Sequence, residues 1–150
     1  MPDDYFDELY AQAADPWDFE TSAYEHEKYQ RTLAALGDRH YGCAFEAGCS
    51  IGVLTALLTE RCASVTATDV VAAALDNAQR RLDEIGRGAQ VTFMRQSLDE
   101  PWPSGPFDLL VLSEVGYYLA PDALRSVLDR ECPRLASGAT VVAAHWRHHV

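Results

Sequence analysis

Apolar residues along the chain fall at two alternating spacings. Ala44-Phe45 closes a short apolar run that ends at Glu46, and Ile51, Leu54 and Leu58 then recur at helical intervals. From Ser64 to Thr68 the apolar positions, Val65 and Ala67, alternate with polar ones, as a strand requires. Val71, Leu75, Ala78 and Leu82 return to the helical interval, and Gly86 and Gly88 stop it. Gln90 to Gln96 predicts a third strand. Phe107 to Ser113, FDLLVLS, is the most apolar run and predicts a central strand buried on both faces. Pro121 opens a helix carrying Leu124, Val127 and Leu128. Ser137-Gly138 turns into a fifth strand over 139–144. Upstream, Tyr5, Phe6, Leu9 and Tyr10 give a short helical stripe over 3–13, broken at Asp15-Pro16-Trp17. Ser22 to Glu25 matches a capping box, from which a helix runs to about Leu36 with Tyr29, Leu33 and Leu36 on one face; Gly37 is its stop.

Strands that alternate with helices predict right-handed crossovers and a mostly parallel sheet, an α/β domain. The length of 150 residues predicts one domain, with a helical segment over 1–37 ahead of an α/β core over 42–146. Such sheets hold ligands beyond the carboxyl ends of their strands. The first of those ends, Glu46-Ala47-Gly48-Cys49-Ser50-Ile51-Gly52, is a glycine turn, and Asp69 follows Gly52 at the second strand tip, where a carboxylate accepts hydrogen bonds from ribose hydroxyls. A dinucleotide fingerprint, G-x-G-x-x-G, would put its middle glycine on Ser50 and its third on Val53. A carboxylate at Glu46 also suits a cation better than a pyrophosphate. S-adenosylmethionine carries a sulfonium and an α-amino group, so charge favours it as the cofactor.

EAGCSIG followed by TATD resembles the first motif and the following acidic position of class I S-adenosylmethionine-dependent methyltransferases, whose pattern is E/D-x-G-x-G-x-G. Ser50 stands at its middle glycine. DPWDFETSAYEHEKYQRTLAAL, beginning at Asp15, and EVGYYL, Glu114 to Leu119, are similar to the nodulation-factor N-methyltransferase (NodS-like) family. The resemblance implies a Rossmann-like methyltransferase sheet with an N-terminal helical cap lying over the cofactor. It makes Trp17, Tyr24 and Lys28 lid candidates. It also assigns Glu46, Gly48, Cys49, Ser50, Gly52 and Asp69 to the cofactor, with adenine between Val70 and Leu98, Ser97 at the third strand tip and Ser113 at the fourth. The family's sheet has seven strands, the last two a hairpin, whereas this chain stops after the fifth.

Methyl transfer is an in-line displacement that depends on proximity, and an attacking amine must be neutral. Glu114, Tyr117 and His145 stand at strand tips and are the catalytic candidates. Glu114 can orient an amine or accept its proton, Tyr117 can hydrogen-bond, and His145 titrates in the useful range. Tyr117, Tyr118 and Trp146 offer aromatic faces to a sugar ring. The expected acceptor is a small molecule with an amine, an amino sugar or a related glycan end. A nicotinamide-dependent oxidoreductase, and a cofactor-binding module without catalysis, remain the alternatives.

Composition narrows the partners. The net charge of −11 disfavours a nucleic-acid partner, and 48% hydrophobic residues suffice for a core. Cys43, Cys49, Cys62 and Cys132 form no C-x-x-C pair, and adjacent His148 and His149 point to opposite faces of a strand, so no metal is expected and the thiols read as reduced, in a cytoplasmic protein. The acidic start is not a signal peptide, and no run reaches membrane-spanning length.

Overall fold

The computed structural model describes residues 23–113 and 120–144, with side chains for all of these except 23–25, 113 and 144. The predicted 3–13 helix, the Asp15-Pro16-Trp17 break, the Ser22 cap, the Glu114–Leu119 segment and the HWRHH run lie outside the described residues. Among the described residues a first α-helix is followed by eight strands and α-helices that alternate except where β4 follows β3: α1 (Ala23–Ala35), β1 (Tyr41–Ala47), α2 (Val53–Leu58), β2 (Cys62–Asp69), α3 (Ala72–Glu84), β3 (Val91–Arg95), β4 (Leu109–Ser113), α4 (Pro121–Glu131) and β5 (Thr140–Ala144). The strands make one parallel sheet in the order β3-β2-β1-β4-β5. The order reverses between β1 and β4, which places the switch point of the sheet at the tip of β1.

Strand alternation sorts the core into two layers. Ala44, Val65, Ala67, Leu109 and Val111 face Leu54 and Leu58 of α2, Leu82 of α3, and Tyr29, Leu33 and Leu36 of the α1 segment. Phe45, Ala47, Leu110 and Leu112 face Trp102, Phe107 and Val127 of α4. Phe45 stacks on Phe107 with centroids 5.4 Å apart and meets Trp102 edge-on at 5.2 Å. The apolar stripes expected of α1, α3 and α4 are therefore the faces turned to the sheet, and Gly37, at φ 63°, ends the first of them.

Several boundaries differ from expectation. Glu46 does not end β1, which continues to Ala47 with Glu46 opposite both Ala67 and Val111. Ile51 lies in the turn before α2, not on that helix, and packs with Val71 and Ala74. The central strand starts at Leu109 because Asp108 is occupied otherwise: its carboxylate accepts the N–H groups of Gly42 and Cys43, both at 2.9 Å, and so joins the lower ends of β1 and β4. The loop before β4 is tied to α4 through Glu131, which is 2% exposed. It accepts from the Trp102 N–H (3.2 Å), Arg130 (2.7 Å) and Arg134 (2.8 Å).

Candidate cofactor site at the strand tips

The turn after β1 is built on backbone conformations that favour glycine. Gly48 and Gly52 have φ 78° and 85°, and Ser50, at φ 52°, shares the left-handed region without glycine's freedom. Gly52 is required twice over, since a Cβ there would stand 2.9 Å from Ala78 Cβ and 3.0 Å from its Cα. That close approach seats α2 against α3.

The turn is stitched to β2. The Gly48 and Cys49 N–H groups both donate to the Thr68 carbonyl, at 2.8 and 2.9 Å. Asp69 finishes the stitch: one carboxylate oxygen accepts the Ser50 N–H at 2.8 Å and the other the Val71 N–H at 3.1 Å. The expectation that Asp69 serves a ribose therefore gains a second role, holding the loop in shape. Arg81 of α3 donates to the Ile51 carbonyl at 3.0 Å, and Arg95 donates to the Val70 carbonyl at 2.9 Å. Both carbonyls flank the loop and the β2 tip.

Glu46 is 1% exposed and accepts the Thr55 hydroxyl of α2 at 2.5 Å. Burial pushes its carboxyl up, the Thr55 bond draws it down, and the Asp69 charge pushes it up further, to about 7. Cys49, also buried, has its thiol pushed far up, by burial first and then by Asp69 and Glu46. Burial of this kind, within the loop itself, disfavours the thiolate.

The structure thus brings Glu46, Gly48, Cys49, Ser50, Gly52 and Asp69 together at the tips of β1 and β2. Val70 follows Asp69 and is half-buried. Ser97 and Leu98 follow β3, whose Arg95 lies opposite Asp69. The Ser97 N–H and hydroxyl are turned to Glu100 (3.1 Å) and Asp99 (2.5 Å), and the Leu98 carbonyl accepts the Trp102 indole N–H. Lys28 is half-buried on α1, its ammonium 5.1 Å from the Tyr29 ring centroid. Tyr24 lies in α1 and Ser113 ends β4, side chains undescribed; Trp17, Glu114, Tyr117 and His145 lie outside the described residues. Sequence reasoning missed Thr55, Arg81 and Asp108. For Thr55 the signal is a lone hydroxyl in the otherwise apolar VLTALL helix. Among the described residues no group of His, Cys, Asp and Glu is arranged to hold a metal, and no helix is long and apolar enough to cross a membrane.

The chain is 31% identical over 106 residues to Nodulation protein S of Bradyrhizobium diazoefficiens, covering 70% of this chain and 49% of that one. It is 30% identical over 132 residues to Nodulation protein S of Rhizobium tropici, covering 87% and 54%. It thus spans about half the length of these curated relatives. The crystal structure of N-methyltransferase NodS from Bradyrhizobium japonicum WM9, in complex with S-adenosyl-L-homocysteine, superposes with a TM-score of 0.82 at 25% identity, covering 95% of this chain and 72% of that one. The sheet is accordingly a Rossmann-like methyltransferase sheet. With the model of Nodulation protein S (NodS) matching residues 5–150, the chain belongs to the NodS family.

Proposed function

We propose that this chain is an S-adenosylmethionine-dependent methyltransferase acting on a small-molecule acceptor, an amine of the amino-sugar or glycan-end type. The observation that carries the cofactor reading is the Asp69 carboxylate. It braces the left-handed Gly48–Gly52 turn at the switch point, at the strand tip where such sheets hold a ribose. Glu46 adds a second carboxylate, and the pair suits a cationic ligand over a pyrophosphate. Membership of the NodS family, with its S-adenosylhomocysteine-bound member, supports this over a nicotinamide-dependent oxidoreductase.

S-adenosylmethionine, when bound, supplies an electrophilic methyl on a sulfonium. The loop from Glu46 to Gly52, Asp69, Val70, Ser97, Leu98 and Ser113 would hold it, with Trp17, Tyr24 and Lys28 closing over it. Its methyl would be open to in-line displacement by the acceptor nitrogen, the sulfur leaving with the bonding electron pair. Glu114 or His145 takes the proton that the methylated amine gives up, and Tyr117 fixes the acceptor by hydrogen bonding. The net charge of −11 supports a small acceptor over a nucleic acid.

Calorimetry with S-adenosylhomocysteine tests the cofactor half. Asp69→Ala is expected to weaken binding by about 1–3 kcal/mol, the loss of charge-assisted hydrogen bonds. Unchanged affinity in a folded variant would remove Asp69 from the site. A methyl-transfer panel of glucosamine oligomers, free amines, phenols and carboxylic acids tests the acceptor. Turnover confined to phenols or carboxylic acids would overturn the amine assignment. Tight cofactor binding with no turnover would favour a binding module.

A further inference from the structure

Glu46 is the last charged residue before the turn, yet it is nearly sealed from solvent by the elements around it. Among the described residues its surroundings contribute one hydrogen bond, from Thr55, and one neighbouring charge, the like charge of Asp69. From α2 the contact is the Thr55 hydroxyl, and that helix, VLTALL, carries no charge. From β2 the groups that act on it or feel it are Asp69 and the Cys62 thiol, and from the loop the Cys49 thiol. From β4 the residue opposite is Val111. On α1, which packs on α2, Lys28 lies over the Tyr29 ring, while Glu27 and Arg31 are exposed and paired with each other. Two carboxylates thus stand at neighbouring strand tips, one braced by two backbone N–H groups and the other by a single hydroxyl. Asp69 is the better solvated by hydrogen bonds, so Glu46 is the partner on which a proton settles.

We propose that Glu46 exchanges a proton for the positive charge of the cofactor, so that S-adenosylmethionine binds as the proton leaves and the demethylated product departs as it returns. This rests on the cofactor reading above. The two ligands differ by one unit of charge, the sulfonium, whereas the amino and carboxylate groups are common to both. A buried carboxylate feels that difference through a low-dielectric medium without touching the ligand. Methyl transfer removes the sulfonium, after which Glu46 again favours its neutral form, and product affinity falls. With its carboxyl near 7, the state competent for the cation is filled at pH 8 and about one-tenth filled at pH 6.

Calorimetry in buffers of different ionisation enthalpy reads the protons released on binding, and repeating it from pH 6 to 8 reads the affinity. Affinity for S-adenosylmethionine is expected to rise about tenfold over that range, with the slope smaller for S-adenosylhomocysteine. In Glu46→Gln the difference in slope between the two ligands should shrink to the part that their own amines contribute. That part is common to wild type and variant and drops out of the comparison between them. Thr55→Val removes the bond that favours the ionised carboxyl and should move the midpoint of the profile to higher pH. Equal slopes for the two ligands in the wild type, or an unaltered difference in slope in Glu46→Gln, would overturn the exchange while leaving cofactor binding intact. Failure of either ligand to bind at any pH would overturn both.

Discussion

Replacing Gly52 with alanine should damage the cofactor loop through both backbone strain and a clash with α3. Its φ of 85° puts any L-residue in the left-handed region, at a cost of roughly 1–2 kcal/mol. The added Cβ would also stand 2.9 Å from Ala78 Cβ and 3.0 Å from Ala78 Cα. The second atom is helix backbone, so relief requires α2 and α3 to move apart. Overpacking of this kind costs about 1–3 kcal/mol. Less about 0.5 kcal/mol for the stiffer unfolded chain, the net loss is roughly 2–4 kcal/mol. In a domain of this size that lowers Tm by about 5–15 °C. Gly37→Ala is the matched control: φ is 63°, but no described atom lies within 4 Å of its Cβ, so only the conformational cost applies. Urea unfolding of both variants separates strain from contact, provided the m-values agree. If Gly52→Ala loses no more stability than Gly37→Ala, the close seating of α2 on α3 is not what fixes glycine there.

Ser50→Gly should stabilise the fold by about 0.5 kcal/mol, the relief of a left-handed serine partly offset by the looser unfolded chain, and a lower urea midpoint would show that the serine side chain contributes more than its strain. Glu131→Gln should cost about 1–3 kcal/mol, because Trp102, Arg130 and Arg134 all donate to that carboxylate. Burial alone would raise the Glu131 carboxyl, but the bonds from Arg130 and Trp102 and the charge of Arg134 outweigh it and hold it below its ordinary value. Its contribution is therefore complete at neutral pH and fades as the solution is acidified through the folded carboxyl's lowered range. Wild type and variant should converge in stability there, and a gap that persists at low pH would contradict this account.

Periodicity was a good guide wherever burial alone decides a position. Leu54 and Leu58, or Ala78 and Leu82, are inside because their spacing turns them to the sheet. Ile51 misled because three residues before Leu54 is also a helical interval, although the chain there is still turning and the side chain drops onto Val71 and Ala74. Glu46 looked like the end of a strand because a carboxylate is costly in a core. What makes it tolerable is a hydroxyl nine residues away on the next helix, which no pattern local to β1 contains. Asp108 is the same case over a longer span: FDLLVLS reads as one strand, but its aspartate turns to the Gly42 and Cys43 N–H groups from 66 and 65 positions away. The glycine turn and Asp69 were legible because both are demanded by local backbone geometry. The braces on that turn from Arg81 and Thr68 come from elements whose approach only the tertiary fold sets.

The Asp108 clamp has a consequence for what this architecture tolerates. It closes a span of 65 residues between Cys43 and Asp108. The entropy of closing a loop grows only with the logarithm of its length, so lengthening that span by ten residues would cost about 0.1 kcal/mol. Ser104 and Gly105, both exposed between the buried Trp102 and Phe107, are where such an insertion would disturb least. The floor of the sheet can therefore stay registered by two hydrogen bonds while the excursion between β3 and β4 varies widely in length. An architecture of this kind can acquire new loop segments without re-solving the pairing of its central strands.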